Sequence, residues 1–491
     1  MKKTLFFFFM ALLALTFFVV QSTDATLDKG KPTQNHWTIM HYGSTANSAE
    51  ETIMDDYDEM KKGFINHQGI ELIVLLDRIP GFSEDKSVFG ENFYDTRLYR
   101  ITQDKTERLD GGAEYPEITK TSNYDTNMAD AHTLKKFIRF CKANYPAEHY
   151  ALIIYTHGSG PYLSRDEDKG SKGDVLYTAE ITDVLTSEES VDLIAFDVCL
   201  MGGVENAYQW RPGNDGFNAQ IMVASAPSTG PYAYDKIFQR LRSGGGDNGE
   251  TDTMVGGKEK YCDPATTTAR EFGGLLLEEI FDGQPEESWA CYDLTRVDTV
   301  KKSVDALAVN LAKEGKKEDF EEIRGSGCLL QTLNYMADIS DRGWIRGPFF
   351  DLYDLAKRTA ESSKFSEGIR SSALKVMKNV DDMVLYSYGG PSYPGFENGK
   401  HGLYIFFPDG DRVVMGKRHW TAQTWYNVLE IKDPPKEWPK EYGKYYSYGK
   451  YFWCRDGATP GNNRVENWFE LLDSWFDKDN KESGGLNKYQ W

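Results

Sequence analysis

Short apolar runs recur at intervals along the first half of the chain. They lie at residues 38–42, 71–76, 150–155, 191–196 and 220–224. One of them, Ala151-Leu152-Ile153-Ile154-Tyr155, has no polar position, which is typical of a strand buried on both faces of a parallel sheet. Helical patterns separate the runs, near residues 48–64, 128–144, 177–187 and 201–210. This alternation of strand and helix predicts a parallel sheet with helices on both faces.

The pattern changes in the second half, where the helical period dominates from about Asp263 to Lys378. Apolar residues fall on one face of each predicted helix: Phe272, Leu275, Leu276 and Ile280, then Val304, Leu307 and Leu311, then Leu352, Leu355 and Ala356. Strand-like runs return at 383–387 and 402–407, and the alternating segment 93–101 predicts an added antiparallel strand pair. The segment 243–258 is rich in Gly, Asp and Thr and is predicted to be a mobile loop.

The first residues carry an apolar run of another kind. Lys2 and Lys3 precede a nearly unbroken apolar stretch from Leu5 to Val20, and polar residues follow at once. A helix of that length, rising about 1.5 Å per residue, would barely cross a bilayer core of about 30 Å. We interpret residues 1–25 as an export signal peptide, with an uncleaved anchor as the alternative. The mature chain is predicted to have no transmembrane span and to be secreted, periplasmic or held at the cell surface.

Composition narrows the classes of function. The chain has 491 residues, with 56 Lys and Arg against 76 Asp and Glu, and a net charge of -20. This acidic balance argues against nucleic-acid binding, because neutralising phosphates requires a basic surface. Six cysteines in so long a chain do not form a disulfide scaffold, and the absence of CxxC and HExxH motifs leaves no predicted metal ligands.

Aromatic residues are concentrated at the end of the chain. The last 72 residues hold 17 of them, including seven of the eleven Trp. This shift in composition predicts a separate small module from about Asp409. Packing of a short accessory domain is the simpler interpretation, and an aromatic platform that binds sugar or peptide is the alternative.

Two of the predicted strands end in side chains with catalytic chemistry. The third continues into Thr156-His157-Gly158-Ser159-Gly160, and the fourth into Asp197-Val198-Cys199-Leu200-Met201. Ligands of an open parallel sheet bind beyond the carboxyl ends of its strands, and neighbouring strands lie about 4.8 Å apart. The imidazole of His157 and the thiol of Cys199 are therefore predicted to share one cleft.

Thiol catalysis requires such a pair, because the thiolate is the nucleophile and an ordinary thiol has a pKa of about 8.5. Cys199 is predicted to precede a helix whose N-terminal amides favour negative charge, and His157 to donate a proton to the leaving amine. The backbone N–H groups of Gly158 and Cys199 are predicted to stabilise the oxyanion. Taken singly, each side chain also fits a structural role, as an inert thiol or a hydrogen-bonded histidine. The remaining cysteines are interpreted as free thiols or as partners in one or two disulfides: Cys141, Cys262, Cys291, Cys328 and Cys454.

At these residues the sequence resembles the clostripain family of cysteine peptidases, within the caspase-like superfamily. The His157 and Cys199 motifs carry most of the resemblance. Further matches, which extend it over roughly residues 36–408, are Tyr145-Pro146-Ala147, Val74-Leu75-Leu76-Asp77-Arg78 and Gly402-Leu403-Tyr404-Ile405-Phe406-Phe407-Pro408. The resemblance implies an endopeptidase that cuts protein or peptide substrates after Arg or Lys, with His157 and Cys199 as a dyad. It also implies that Asp197 receives the basic side chain; a helix cap or a solvated strand-end charge is the alternative for that residue.

One departure from the family concerns specificity. The family usually carries an acidic residue after the fifth strand, where this chain has Ser225-Ala226-Pro227-Ser228-Thr229-Gly230. This departure weakens the expectation of basic specificity but not that of the dyad. A binding protein on the same scaffold, or a peptidase or transpeptidase of other specificity, remains an alternative. Some family members use calcium, but no ligand cluster here has convincing spacing. No cofactor is therefore predicted to be required, and calcium stays a possible cofactor without a ligand motif to support it.

The connection between the His157 and Cys199 strands is a predicted site of self-activation, since family members are often activated by a cut there. Residues 164–174 are charged and contain glycines, which predicts exposure and suits proteolytic cleavage. Lys172 is the favoured cleavage site, followed by Lys169 and Arg165. A plain solvated loop is the alternative.

Together these observations predict a caspase-like three-layer α/β sandwich with a mostly parallel central sheet. The predicted divisions are a signal peptide (1–25), a catalytic α/β domain (26–260), a helical extension that completes the peptidase domain (261–408) and an aromatic-rich C-terminal module (409–491). The last of these is the candidate for contact with a surface or a glycan.

Overall fold

The structure of the chain is a computed structural model. It describes residues 35–64, 69–168, 170–171, 173–214, 216–251, 258–326, 329–338, 344–345, 347–408, 413–414, 417–418, 451–459 and 464–476. The predicted signal peptide, Lys169, Lys172 and Cys328 lie outside the described residues, as does most of the aromatic segment after Asp409.

Nine strands form the central sheet. In chain order they are β1 (Asn35–Thr45), β2 (Ile70–Arg78), β3 (Thr96–Thr102), β4 (Lys105–Arg108), β5 (Ala147–Tyr155), β6 (Leu193–Asp197), β7 (Ile221–Ser225), β8 (Ser288–Asp293) and β9 (Val384–Gly389). Their order across the sheet is β9-β8-β7-β6-β5-β1-β2-β3-β4. The five central strands pair in parallel, and antiparallel pairings add β3 and β4 at one edge and β8 and β9 at the other. The prediction of a mostly parallel sheet is confirmed.

Twelve helices are described. They are α1 (Glu50–Gly63), α2 (Ala131–Asn144), α3 (Thr178–Val184), α4 (Val204–Gln209), α5 (Tyr234–Arg240), α6 (Ala269–Gly283), α7 (Val297–Glu314), α8 (Lys317–Arg324), α9 (Leu352–Glu361), α10 (Glu367–Met383), α11 (Phe452–Arg455) and α12 (Trp468–Phe476). None of these helices is both long enough and apolar enough to span a membrane.

Helices cover both faces of the sheet, so the predicted three-layer arrangement is confirmed. Helices α1, α5 and α6 pack on one face, and α2, α3, α4, α7, α9 and α10 on the other. Successive residues of β1 alternate between these two cores: Trp37 and Ile39 belong to the first, Met40 and Tyr42 to the second. Burial of both faces is why the central strands carry continuous apolar runs.

Strand β8 departs from the predicted pattern. It lies within the region predicted to be helical, yet it pairs antiparallel with both β7 and β9. Its six residues span fewer than two helical turns, so the period of the sequence does not distinguish the two structures. Pairing with β7 and β9, which are distant in sequence, makes this segment a strand.

Short antiparallel strand pairs form separate two-stranded sheets outside the central sheet. They join Tyr162–Arg165 to Val175–Tyr177, Asp247–Thr251 to Lys258–Lys260, Gly325–Ser326 to Leu329–Leu330, Ala337–Asp338 to Trp344–Ile345, Phe349–Asp351 to Tyr404–Phe406, and Val413–Val414 to Lys417–Arg418. The second pair corrects the prediction for residues 243–258. The ends of that segment form a hairpin, because residues 247 and 260 pair across it, and residues 252–257 lie outside the described residues.

The described part of the aromatic segment packs onto the same core. Trp468 of α12 donates its indole N–H to the carbonyl oxygen of Phe406 at 3.0 Å. Its ring makes an edge contact with Phe407, at a centroid distance of 5.5 Å. These contacts agree with the simpler interpretation, in which the aromatic residues fill a core. The predicted domain boundaries stay predictions.

Candidate active site

His157 and Cys199 lie at the same edge of the sheet. Strands β5 and β6 are adjacent and parallel, and the last pair of their register joins Tyr155 to Asp197. Each of the two residues comes two positions after its member of this pair. The structure therefore brings the imidazole-bearing and thiol-bearing segments together beyond the carboxyl ends of neighbouring strands.

Gly158 lets these two segments approach closely. A Cβ at this position would lie 2.3 Å from Val198 Cγ1 and 3.0 Å from the carbonyl oxygen of Cys199. Any side chain would push the segments apart. The two predicted oxyanion donors, Gly158 and Cys199, thus belong to segments in direct contact.

The thiol of Cys199 is half-buried against the segment that follows β7. Its Sγ accepts a hydrogen bond from the backbone N–H of Thr229 at 3.3 Å. Burial raises the pKa of the Cys199 thiol, and the hydrogen bond from Thr229 opposes this shift because it favours the thiolate. The resting thiol is therefore protonated at neutral pH and needs a base. The other described cysteines, Cys141, Cys262, Cys291 and Cys454, are free thiols as well.

Cys199 does not stand at a helix N-terminus, which corrects the sequence prediction. Helix α4 begins at Val204, with Gly203 as its N-cap. In between, Leu200 adopts a left-handed conformation with φ of 64°. Its N–H donates to the carbonyl oxygen of Pro227 at 2.9 Å, which holds the turn. Because the helix dipole acts only within the first turn, the backbone N–H of Thr229 replaces it as the group that favours the thiolate.

The imidazole of His157 contacts a residue that the sequence analysis missed. Its Nε2 lies 2.8 Å from Ser48 Oγ, within hydrogen-bond distance. Partial burial lowers the pKa of His157, so the ring is neutral at neutral pH and able to accept a proton. Ser48 follows β1, the strand next to β5. A polar residue just beyond the end of a neighbouring strand was the sequence signal that could have indicated Ser48 as a site residue.

We expect Ser48→Ala to lower kcat for peptide hydrolysis by about 5-fold, because one hydrogen bond of about 1 kcal/mol no longer orients the ring. KM should stay within about twofold, since binding of the substrate is untouched. Steady-state kinetics measure both constants. Ser48→Thr, which keeps the hydroxyl, is the matched control and should retain most of kcat. A rise in KM alone would contradict a positioning role for Ser48.

Asp197 is buried at the end of β6, with 4% of its surface exposed. Its Oδ2 accepts hydrogen bonds from the backbone N–H of Tyr232 at 3.2 Å and from the Tyr234 hydroxyl at 2.9 Å. Burial raises the pKa of Asp197 to about 7, against the opposing effect of these two bonds. Asp197 is therefore not a solvated charge. Its Oδ1 takes part in neither of the two hydrogen bonds.

A second buried carboxylate accompanies Asp197. Asp56 of α1 is 3% exposed, and its Oδ2 has no hydrogen-bond partner among the described residues. Burial raises the pKa of Asp56, and the negative charge of Asp197 raises it further. The segment 225–230 supplies no acidic residue, whereas α1 brings one from a distant part of the sequence into electrostatic range of Asp197.

The connection between β5 and β6 leaves the site just after His157. Arg165 ends its first short strand and is exposed. The carbonyl oxygen of Arg165 accepts a hydrogen bond from Asn47 Nδ2 at 2.9 Å, which holds this part of the connection against the end of β1. Lys169 and Lys172 lie outside the described residues, so Arg165 is the one predicted cleavage site with a described position.

Comparisons with known proteins find relatives along nearly the whole chain. The model of the clostripain family, Peptidase C11, matches residues 41–475. Clostripain of Hathewaya histolytica is 45% identical over 96% of this chain and 92% of its own length. The inactive zymogen of a C11 protease from Parabacteroides distasonis has a similar structure, with a TM-score of 0.52 at 16% identity, over 77% of this chain and 94% of that one. A secreted C11 cysteine protease from Bacteroides thetaiotaomicron, in complex with an irreversible peptide inhibitor, has a TM-score of 0.48 at 13% identity, over 76% and 92%.

Proposed function

The chain belongs to the clostripain family and is a cysteine endopeptidase, and from this premise we propose that it cuts after Arg or Lys with Cys199 and His157 as its catalytic pair. The observation that supports this pairing best is the register of β5 and β6, which sets both residues two positions beyond one strand pair. The burial of three other thiols supports it too. Cys141, Cys291 and Cys454 are at most 1% exposed, where substrate has no access.

The resting protonation states suit a transfer from thiol to imidazole. As Cys199 Sγ attacks the substrate carbonyl carbon, its proton passes to the neutral His157, a C–S bond forms and the carbonyl π pair moves to oxygen. The N–H groups of Gly158 and Cys199 stabilise this oxyanion. The C–N bond then breaks as His157 returns the proton to the leaving amine. Water, deprotonated by His157, resolves the thioester and releases the carboxylic acid.

Specificity for basic residues follows in this proposal from the buried charge of Asp197. An Arg or Lys side chain that reaches Asp197 meets a buried carboxylate, with which a charge-assisted hydrogen bond is strong. The cation favours ionisation of Asp197 and so offsets the burial that raises its pKa. Burial and the charge of Asp197 raise the pKa of Asp56, so Asp56 stays protonated and the proposed basic specificity rests on Asp197.

Export and self-activation complete the proposal. The positively charged start and the apolar run 5–20 support export through a signal peptide. The exposure of Arg165 supports cleavage within the connection between β5 and β6, for which Lys172 is the favoured site, followed by Lys169 and Arg165. Protein and peptide substrates with Arg or Lys at the cleavage site are the partners this activity requires.

A peptide electrophile tests the proposed function directly. We expect a peptidyl acyloxymethyl ketone ending in Arg to alkylate Cys199 alone at neutral pH, and the same reagent ending in Asp to react at least about 100-fold more slowly. Mass spectrometry of the digested adduct identifies the labelled cysteine. Iodoacetamide labelling of Cys262, which is half-buried, is the control for simple accessibility.

A binding protein on this scaffold would show no preferential labelling of Cys199. Labelling of Cys199 with equal rates for the two reagents would favour the alternative of a peptidase or transpeptidase without basic specificity. An adduct on Cys262 rather than Cys199 would contradict the proposed catalytic pair.

A further inference from the structure

A second histidine, His41, lies on the strands that carry the candidate site. It belongs to β1, which pairs with β5, and its side chain is fully buried. Tyr57 of α1 and Tyr234 of α5 meet its ring edge to face, at interplanar angles of 72° and 73°. An imidazole has two polar nitrogens, and both need hydrogen-bond partners in such an interior.

Both nitrogens of His41 have a tyrosine hydroxyl within hydrogen-bond distance. Nδ1 lies 3.1 Å from Tyr57 Oη, and Nε2 lies 3.2 Å from Tyr234 Oη. Gly43 makes room for the first hydroxyl, since a Cβ there would lie 2.5 Å from Tyr57 Oη. The hydroxyl of Tyr234 donates in turn to Asp197 Oδ2 at 2.9 Å. We name these four side chains the buried network: Tyr57, His41, Tyr234 and Asp197.

The protons of the buried network can be assigned from Asp197. Burial lowers the pKa of His41 to about 3, so the ring is neutral and carries one N–H. An ionised Asp197 only accepts, so the single hydroxyl proton of Tyr234 points to it. Tyr234 Oη must then accept from Nε2–H of His41, which leaves Nδ1 to accept from the Tyr57 hydroxyl. All three hydrogen bonds therefore donate in the direction of Asp197.

This common direction supports the negative charge of Asp197. Tyr57, His41 and Tyr234 are fully buried, so bulk water does not compete for their hydrogen bonds. Each donor in such a series polarises the next, which strengthens the last hydrogen bond in an interior of low dielectric constant. A hydrogen bond to the carboxylate form lowers the pKa of a carboxyl group. The buried network therefore opposes the burial that raises the pKa of Asp197.

The orientation of the carboxylate is set by two donors to the same oxygen. The backbone N–H of Tyr232 donates to Asp197 Oδ2 at 3.2 Å, beside the hydroxyl of Tyr234. Asp197 Oδ1 takes part in neither bond. A carboxylate held through one oxygen presents the other to a cation at a fixed angle, which favours a charge-assisted hydrogen bond.

We propose that His41 is a positioning residue for recognition of the basic side chain of the substrate. Acting through Tyr234, it holds Oδ2 of Asp197 as a hydrogen-bond acceptor and keeps Oδ1 directed at the incoming Arg or Lys. His41 carries no charge in this role and transfers no proton. The inference rests on the proposed function, because it requires Asp197 to receive the cation, whereas the tautomer of His41 does not depend on that function.

Other ionisable groups also surround Asp197. They are Asp56 and Glu59 of α1, Tyr155 of β5, Cys199, Tyr232 and Tyr234. The groups that face His41 are the tyrosines Tyr57, Tyr155 and Tyr234. Substitutions at position 41 leave all of these side chains in place. A change in the titration of Asp197 between such variants therefore reports on the buried network.

Two amides at position 41 separate the donor to Tyr234 from the presence of a polar side chain. His41→Gln can place an N–H where Nε2–H stands, whereas the shorter amide of His41→Asn reaches only the position of Nδ1. The measurement is the ratio of kcat/KM for an Arg substrate to kcat/KM for a citrulline substrate, which should rise as Asp197 ionises. We expect the midpoint of this rise to move upward by about half a pH unit in His41→Asn and by less than about 0.2 unit in His41→Gln.

Tyr234→Phe removes the donor to Asp197 outright, and its midpoint should rise by at least about one pH unit. Tyr42→Phe is the matched control. Tyr42 neighbours His41 in β1 but faces the other side of the sheet, where its buried hydroxyl donates to the carbonyl oxygen of Met128 at 2.7 Å. This control should keep the parental midpoint. An unshifted midpoint in His41→Asn, or equal shifts in His41→Asn and His41→Gln, would overturn the proposal.

The tautomer of His41 tests the buried network without any activity. Nitrogen NMR of full-length Cys199→Ala protein with labelled histidines should show a proton on Nε2 and none on Nδ1 at a pH of about 8, where Asp197 is ionised. The signal of His41 is identified by its loss in His41→Gln. A proton on Nδ1 would overturn the proposal, even if the variants at position 41 did not fold. A parent enzyme with no preference for Arg over citrulline would instead reject the proposed function, and the recognition role of His41 with it, and would leave the Nε2 proton in place.

Discussion

Replacement of Cys199 by alanine is expected to reduce turnover of peptides ending in Arg or Lys at least about 10⁴-fold, to the background of the assay. Without the sulfur no thioester forms, and the remaining oxyanion donors act only on uncatalysed hydrolysis. Stability should change by less than about 1 kcal/mol, because the half-buried thiol contributes little packing. Fluorogenic peptide kinetics and thermal unfolding measure the two effects.

Cys262→Ala is the matched control for this substitution. Cys262 is also a free, half-buried thiol, but it lies on the segment before α6 and not at the carboxyl edge of the parallel strands. We expect its replacement to leave turnover within about twofold. Unchanged turnover in Cys199→Ala, or a comparable loss in Cys262→Ala, would refute the mechanism.

The same pair of proteins reports self-cleavage. Intact mass and N-terminal analysis should find the wild-type chain cut within residues 164–174, and the Cys199→Ala chain whole. A cut after Lys172 is the favoured result, followed by Lys169 and Arg165. A wild-type chain that is active and uncut would reject self-activation and leave the peptidase assignment standing.

Asp197→Asn is expected to lower kcat/KM for a substrate ending in Arg by about 10²–10³-fold. The substitution removes a buried charge that would otherwise pair with the guanidinium, an interaction worth about 3–4 kcal/mol in such a site. A substrate ending in citrulline, which has the same shape and no charge, should lose less than about 10-fold. Steady-state kinetics with both substrates give the ratio that measures charge recognition.

The ratio of kcat/KM for the Arg substrate to kcat/KM for the citrulline substrate should depend on pH, because burial raises the pKa of Asp197 to about 7 in the free protein. Below this pH the carboxyl is protonated and does not attract a cation, so the preference for Arg over citrulline should rise as the pH increases through about 7. Asp197→Asn should show no such rise. Titration of His157 and Cys199 affects both substrates alike and cancels in the ratio.

Glu205→Gln is the matched control for the loss of a buried acid. Burial raises the pKa of Glu205 to about 8, but its Oε1 accepts a hydrogen bond from the N–H of Phe406 in another part of the core. We expect this variant to retain the full preference for Arg and its pH dependence. A flat ratio in the wild type would show that Asp197 does not receive the basic side chain.

Much of the fold was predictable because its signals are local. All five central strands coincide with apolar runs, and the helices between them with the expected helical periods, since burial on two faces or on one leaves its period in the neighbouring residues. Strand β8 was missed because six residues are too few to show a period. The alternating segment near residues 93–101 did give a strand, β3, which continues into its hairpin partner β4.

The residues of the candidate site also differ in whether the sequence could predict them. His157 and Cys199 could be found because each directly follows an apolar run, and the paired register of β5 and β6 then brings their segments together. Ser48 follows β1, which could have placed it at the edge of the sheet that holds His157, but nothing near it in the sequence indicates a contact with the imidazole. Asp56 could not be assigned, because its position in a helix does not show that it comes into electrostatic range of Asp197. The expected helix at Cys199 begins later, at Val204, since the turn at Leu200 intervenes.

The sequence by itself determined the parallel sheet, the order of its elements and the thiol and imidazole at two strand ends, because each depends on residues close together in the chain. Only the tertiary structure decided which carboxylates share one environment. Asp77, Asp125 and Asp168 are dozens of positions apart, and they meet because β2, the segment before α2 and the connection after β5 converge at one edge of the sheet. Electrostatic interactions depend on distance through space, which spacing along the chain does not fix.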